Sequence, residues 1–173
     1  MHTLSALASA AGILLWSTQV LAEDLTIRLT DPSFKVVVPG APQVQFHPHP
    51  SASQNPAALL LGSTPDGLNV SALSEKADGA TAQQCASWLV GSTMSRYKPD
   101  LATVQIIPAG ANAWVLLYAF KIGPIEQLKA HVFSGNNKGR CLEIHMSRLG
   151  ETPEQRETWF RSFRGITVSA EIE

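Results

Sequence analysis

The stretch from Ala113 to Ser147 constrains the fold more than any other part of this chain. Ala113 to Phe120 (AWVLLYAF) is apolar on both alternations, the pattern of a central strand covered on both faces. Ile125 to Phe133 and Arg140 to Ser147 alternate instead, on either side of a Gly135-Asn136-Asn137-Lys138-Gly139 turn, and read as an antiparallel hairpin. The pattern also sets the register. Placing Leu128, Ala130 and Val132 on the same face as Leu142, Ile144 and Met146 gathers the apolar side chains, whereas a slip of one residue would mix them with charges. The opposite face then carries Lys129, His131, Phe133, Cys141, Glu143 and His145.

Upstream, Leu25 to Leu29 and Phe34 to Val38 read as strands joined through Asp31-Pro32-Ser33. Leu59 to Gly62 and Leu68 to Leu73 form a second pair around Thr64-Pro65-Asp66-Gly67, and Val104 to Ile107 is a short strand. The segment from Pro39 to Pro56, with its prolines, serines and histidines, reads as a loop. A helix opens at Thr81, whose hydroxyl caps the first turn while Gln84 completes a capping box, and it stops before Pro99. Its expected sheet-facing residues are Cys85, Trp88, Leu89 and Ser92. A last helix has Thr152 as N-cap, Pro153 in the first turn and Gln155 in the capping box. It buries Trp159, Phe160 and Phe163 before Gly165 ends it, and Ile166 to Ile172 follows as a short strand or a loose end. The sum is an α+β fold, an antiparallel sheet flanked by helices.

Leu4 to Trp16 is an apolar run long enough for the core of a signal peptide and too short to span a bilayer as a mature helix. Polar residues follow, then Val20-Leu21-Ala22, so the expected signal peptide is 1–22 and the expected mature start is Glu23. The expected location is outside the cytoplasm, periplasmic in a Gram-negative cell. No cysteine lies near the cleavage site to carry a lipid, and no later segment has the length of a membrane span, so no stable membrane insertion is expected after cleavage. Residues 23–173 have the length of a single domain. The 13 basic and 14 acidic side chains nearly balance, which gives no electrostatic reason to expect nucleic acid as a partner. Cys85 and Cys141 fit no metal spacing; an oxidising compartment permits a disulfide between them, and two separate buried thiols are the alternative.

The order of elements, with Phe34-Lys35-Val36-Val37-Val38-Pro39 at the start and Trp159-Phe160-Arg161-Ser162-Phe163 in the closing helix, resembles the Mog1/PsbP-like superfamily. That resemblance covers nearly all of residues 23–173 and implies an α/β/α sandwich acting as a scaffold, assembly factor or protein-binding module. It supplies no catalytic residues.

Two chemistries compete for the polar face of the hairpin. Cross-strand neighbours lie about 5 Å apart and same-strand alternates about 7 Å, so His131, Glu143 and His145 are candidate ligands for a divalent metal such as zinc or copper. Alternatively Glu143 pairs with Lys129 or His131 within a solvated or helix-covered polar face. His47 and His49, in a proline-stiffened loop, form a second and weaker candidate. No nucleophile elbow, phosphate loop or metalloprotease motif occurs, and Cys85 falls on a core-facing stripe. The sequence therefore supports no enzyme, no catalytic residues and no cofactor. It points to an exported module binding another protein through Lys129, His131, Glu143 and His145, one version being an accessory or immunity protein of a secretion system. The alternative is a periplasmic metal-binding protein.

Overall fold

The computed structural model describes residues 24–30, 33–41, 43–55, 58–76, 81–110, 113–136, 140–150 and 152–170. The expected signal peptide 1–22, the turn residues Asp31, Pro32, Asn137, Lys138 and Gly139, and Ile172 lie outside the described residues.

Among the described residues, ten strands and two α-helices are arranged as two antiparallel sheets and their covers. The chain opens with β1 (Leu25–Thr30) and β2 (Ser33–Val38), which pair with Ile27 opposite Val36 and Leu29 opposite Phe34. Alternate residues of both strands are apolar and buried, the mark of a sheet with one face on a core. β10 (Thr167–Ala170) joins the free side of β2, so the order of this small sheet is β1-β2-β10.

The larger sheet comprises β3 (Gln45–Pro48), β4 (Ala58–Ser63), β5 (Asn69–Lys76), β6 (Gln105–Pro108), β7 (Ala113–Ile122), β8 (Ile125–Asn136) and β9 (Arg140–Gly150). Its spatial order is β3-β4-β5-β9-β8-β7-β6. The hairpin register expected from the apolar pattern is present, with Ala130 opposite Met146 and Val132 opposite Ile144. β7 is buried on both faces as its composition requires, yet it stands next to the edge strand β6 rather than at the sheet's centre.

β3 corrects the expectation of a continuous loop from Pro39 to Pro56. It docks on β4 with Phe46 opposite Gly62. A Cβ at position 62 would stand 2.5 Å from Val44 Cγ1 and 2.8 Å from the Gln45 carbonyl oxygen. Only glycine lets the edge strand come so close.

α1 (Ala82–Tyr97) carries the expected Thr81–Gln84 capping box and covers one face of the large sheet. Its buried side chains are Cys85, Ala86, Leu89 and Thr93, whereas Trp88 is 57% exposed and Ser92 is exposed. The expected face was therefore rotated from the true one. Small Ala86 and Thr93 let the helix sit close to the strands, where an indole at 88 would hold it away. α2 (Pro153–Ser162) has the expected Thr152–Gln155 box and continues as a single 3-10 turn over Phe163–Gly165. Together with the small sheet it covers the other face, burying Phe160 and Phe163 among Phe34, Val36, Val115, Leu117 and Ile144. The α+β class holds, but the layer opposite α1 is built mainly of strands.

Candidate functional site

β7, β8 and β9 bring Tyr118, Lys129, His131, Glu143 and His145 onto the face beneath α1. His131 and His145 are direct cross-strand partners, and Phe133 stands opposite Glu143. The four residues named as a candidate binding face are thus gathered on one side of the sheet, with His131 1% and Lys129 6% exposed and Glu143 and His145 half-buried. The helix-covered alternative describes the face, because sequence periodicity assigns a side to each residue without saying what lies over that side.

Donor chemistry fixes much of the bonding. Glu143 Oε1 accepts from His131 Nδ1 at 2.6 Å, and the Tyr118 hydroxyl stands 3.0 Å from His131 Nε2, so both ring nitrogens are engaged. Lysine has no acceptor, so Lys129 Nζ donates to His145 Nε2 across 3.1 Å, and that nitrogen carries no proton. Burial, the neighbouring His131 and Lys129 together push the His145 imidazole down to about 2, in keeping with its acceptor role. Burial also lowers the Lys129 ammonium, which lies 5.7 Å from the centre of the Tyr97 ring and 5.8 Å from that of Phe120. Burial, then Tyr97 and Glu143, raise the Tyr118 phenol, which stays protonated.

These contacts decide what the cluster can do. Its members form two short relays, Tyr118–His131–Glu143 and Lys129–His145, joined by imidazole rings stacked 4.6 Å apart. Among the described residues no three His, Cys, Asp or Glu side chains are grouped to hold a metal ion. A carboxylate–imidazole–phenol relay has the makeup of a proton-transfer chain, but Tyr118 is fully buried and has no open side on which to meet a substrate. Among the described residues no buried side-chain nitrogen or oxygen lacks a partner.

Cys85 on α1 is bonded to Cys141 on β9, with Cα atoms 5.4 Å apart. The bridge fastens the helix over the cluster. His47 lies exposed on the edge strand β3 opposite Leu61, and His49 Nδ1 accepts from the Ser51 amide, so each is placed by its own local structure.

Sequence reading missed a surface at the end of the same face. Beyond the C-terminus of α1 the strands continue uncovered and present Ile122 (54% exposed), Ile125 (45%) and Leu149 (56%). Ile122 and Ile125 are direct partners at the tip of the β7–β8 hairpin, and Leu149 lies diagonally from Ile125, opposite Gln127. Leu101, 74% exposed, sits in a 3-10 turn (Leu101–Thr103) bonded to β7 through Thr103 and Ala119. The signal available was a pair of isoleucines flanking Gly123-Pro124, apolar residues at a turn that normally favours polar ones.

No family model matches the chain, and no curated protein matches it. Among solved structures, LpqN of Mycobacterium tuberculosis, a protein involved in cell envelope biogenesis, aligns over 85% of this chain and 91% of its own, with 12% identity and a TM-score of 0.45. PA94 of Pseudomonas aeruginosa, a protein of unknown function, aligns over 82% of this chain and 94% of its own, with 11% identity and a TM-score of 0.37.

Proposed function

We propose that this chain is an exported, non-catalytic module that binds another protein through the apolar end of its large sheet, at Ile122, Ile125 and Leu149. The observation that carries this reading is the clustering of exposed large apolar residues at that end, since adjacent uncovered isoleucines and leucines favour burial against a partner. Export is supported by the apolar leader ahead of Val20-Leu21-Ala22 and by a disulfide, a bond that persists in oxidising compartments. Among the described residues no helix is long and apolar enough to cross a membrane.

Membership of the Mog1/PsbP-like superfamily belongs to the same reading. Its support is that the two segments resembling that superfamily meet in space: Phe34 and Val36 share a core with Phe160 and Phe163, and Pro39 lies against Gly165. An accessory or immunity role in a secretion system is the specific version that the resemblance suggests. The metal-binding alternative draws less support, because both nitrogens of His131 are already engaged.

The test is a photo-crosslinking residue at position 125 in the chain expressed with its own leader, with a second at exposed Ser53 as control. One discrete protein adduct at 125, absent at 53 and lost when Ile122 and Leu149 are changed to Ser, is expected. Identical adduct patterns at both positions, or none at 125 in folded protein, would overturn the reading. Thiol alkylation before and after reduction reports export separately.

A further inference from the structure

A second surface, sharing no residue with the apolar end of the sheet, carries its own inference. Between α2 and the rim of the main core lies a groove of about 410 Å³, lined by Gly40, Ala41, Leu68, Arg148, Trp159 and Ser162, with the first turn of α2 at its edge. Arg148 arises from β9 on the core-facing side: its cross-strand partner is Leu128, and Met146 precedes it on the same face, both buried. The side chain is half-buried where that core opens into the groove. Among the described residues no carboxylate pairs with it, whereas Arg156 on α2 is held 2.9 Å from Glu126. A guanidinium beside indole and leucine has lost part of its water without gaining an anion, and a carboxylate would restore what it lacks.

We propose that this groove binds a carboxylate carried on an apolar or aromatic group, with the carboxylate on Arg148 and the apolar part against Trp159, Leu68 and Ala41. The planar fork of arginine matches a carboxylate with two parallel hydrogen bonds. The Trp159 ring meets Phe163 edge-on at 4.9 Å, so the apolar wall is already set before a ligand arrives. Glu154 also lines the groove. Its own backbone amide, the Thr152 hydroxyl and nearby Arg156 hold its carboxyl below the usual range, so it remains ionised and repels an anion there. A free aromatic acid and the C-terminus of a polypeptide offer the same chemistry.

The experiment follows the Trp159 indole N–H signal, assigned with Trp159→Phe, in the oxidised and processed protein during titration. The probes are N-acetylphenylalanine, its carboxamide, and a short peptide ending in phenylalanine as the free acid. The free acids should shift the signal saturably, with the carboxamide and the Arg148→Gln variant weaker by about ten-fold or more, as the loss of a charge-assisted pair requires. Arg148→Lys should keep part of the affinity. Tighter binding of the peptide would identify a chain terminus as the source, and tighter binding of the acetylated amino acid a small molecule; either supports the site. Equal shifts by acid and carboxamide, or no saturable shift with either acid, would overturn it. The acid–carboxamide comparison uses unaltered protein and stands even if Arg148→Gln fails to fold, and neither result bears on the surface at Ile125.

Discussion

His131 and His145 stand opposite each other on β8 and β9 with their rings stacked 4.6 Å apart, one bound to Glu143 and Tyr118 and the other to Lys129. The pair joins two relays that would each be costly to bury half-made. Together they fill a helix-covered sheet face with partnered polar groups, and the stability of that face should depend on every member.

Removing one partner of the ring tests this dependence. Glu143→Leu strands the His131 Nδ1–H and Tyr118→Phe strands Nε2, so each should cost about 1–3 kcal/mol by urea unfolding. Because both partners serve one ring, the double variant should lose less than the sum. Strict additivity would show that the relay does not act as a unit.

Acid should destabilise the protein through His145. Its folded-state value lies near 2 and its ordinary value is 6.5, so above 6.5 neither state binds a proton there and His145 adds no pH dependence. As pH falls below 6.5 the unfolded chain takes up a proton that the folded chain refuses, and stability declines with a slope of up to about 1.4 kcal/mol per pH unit. Urea midpoints measured between neutral pH and about pH 5 should fall, and His145→Gln should flatten the decline. An unchanged slope in that variant would place the acid sensitivity elsewhere.

The disulfide closes a loop between residues 56 positions apart. Chain-entropy arguments give it up to about 4 kcal/mol, and Cys85→Ala with Cys141→Ala should lose about 2–4 kcal/mol. Amide exchange should quicken in α1 before it quickens in β1 and β2, since the bridge ties the helix to the sheet. Equal exchange in both regions would argue against a local clamp.

Neighbouring positions on α1 should differ sharply. Leu89→Ala empties a buried site and should cost about 2–5 kcal/mol. Trp88→Ala removes an exposed ring and should stay within about 0.5 kcal/mol. Thermal or urea unfolding of the two variants checks the helix rotation directly.

Changing Ile122 and Ile125 together to Ser should likewise leave stability within about 0.5 kcal/mol while abolishing the proposed partner contact. Loss of folding in that variant, read by circular dichroism, would mean that these side chains serve the core instead.

Local chemistry in the sequence determined both capping boxes, the register of the β8–β9 hairpin and the face that each of its residues occupies. These follow from neighbours a few positions apart, or from a pattern whose period is fixed by the backbone. Only the tertiary structure decided that α1 turns Ala86 and Thr93, not Trp88 and Ser92, toward the strands, because helix rotation depends on the volume left by residues far along the chain. It likewise decided that Cys85 meets Cys141, that β3 forms against Gly62, and that α1 ends short of Ile122, Ile125 and Leu149. Which face a residue takes is set by the covalent chain; what covers that face is set by packing between elements whose separation in sequence carries no such signal.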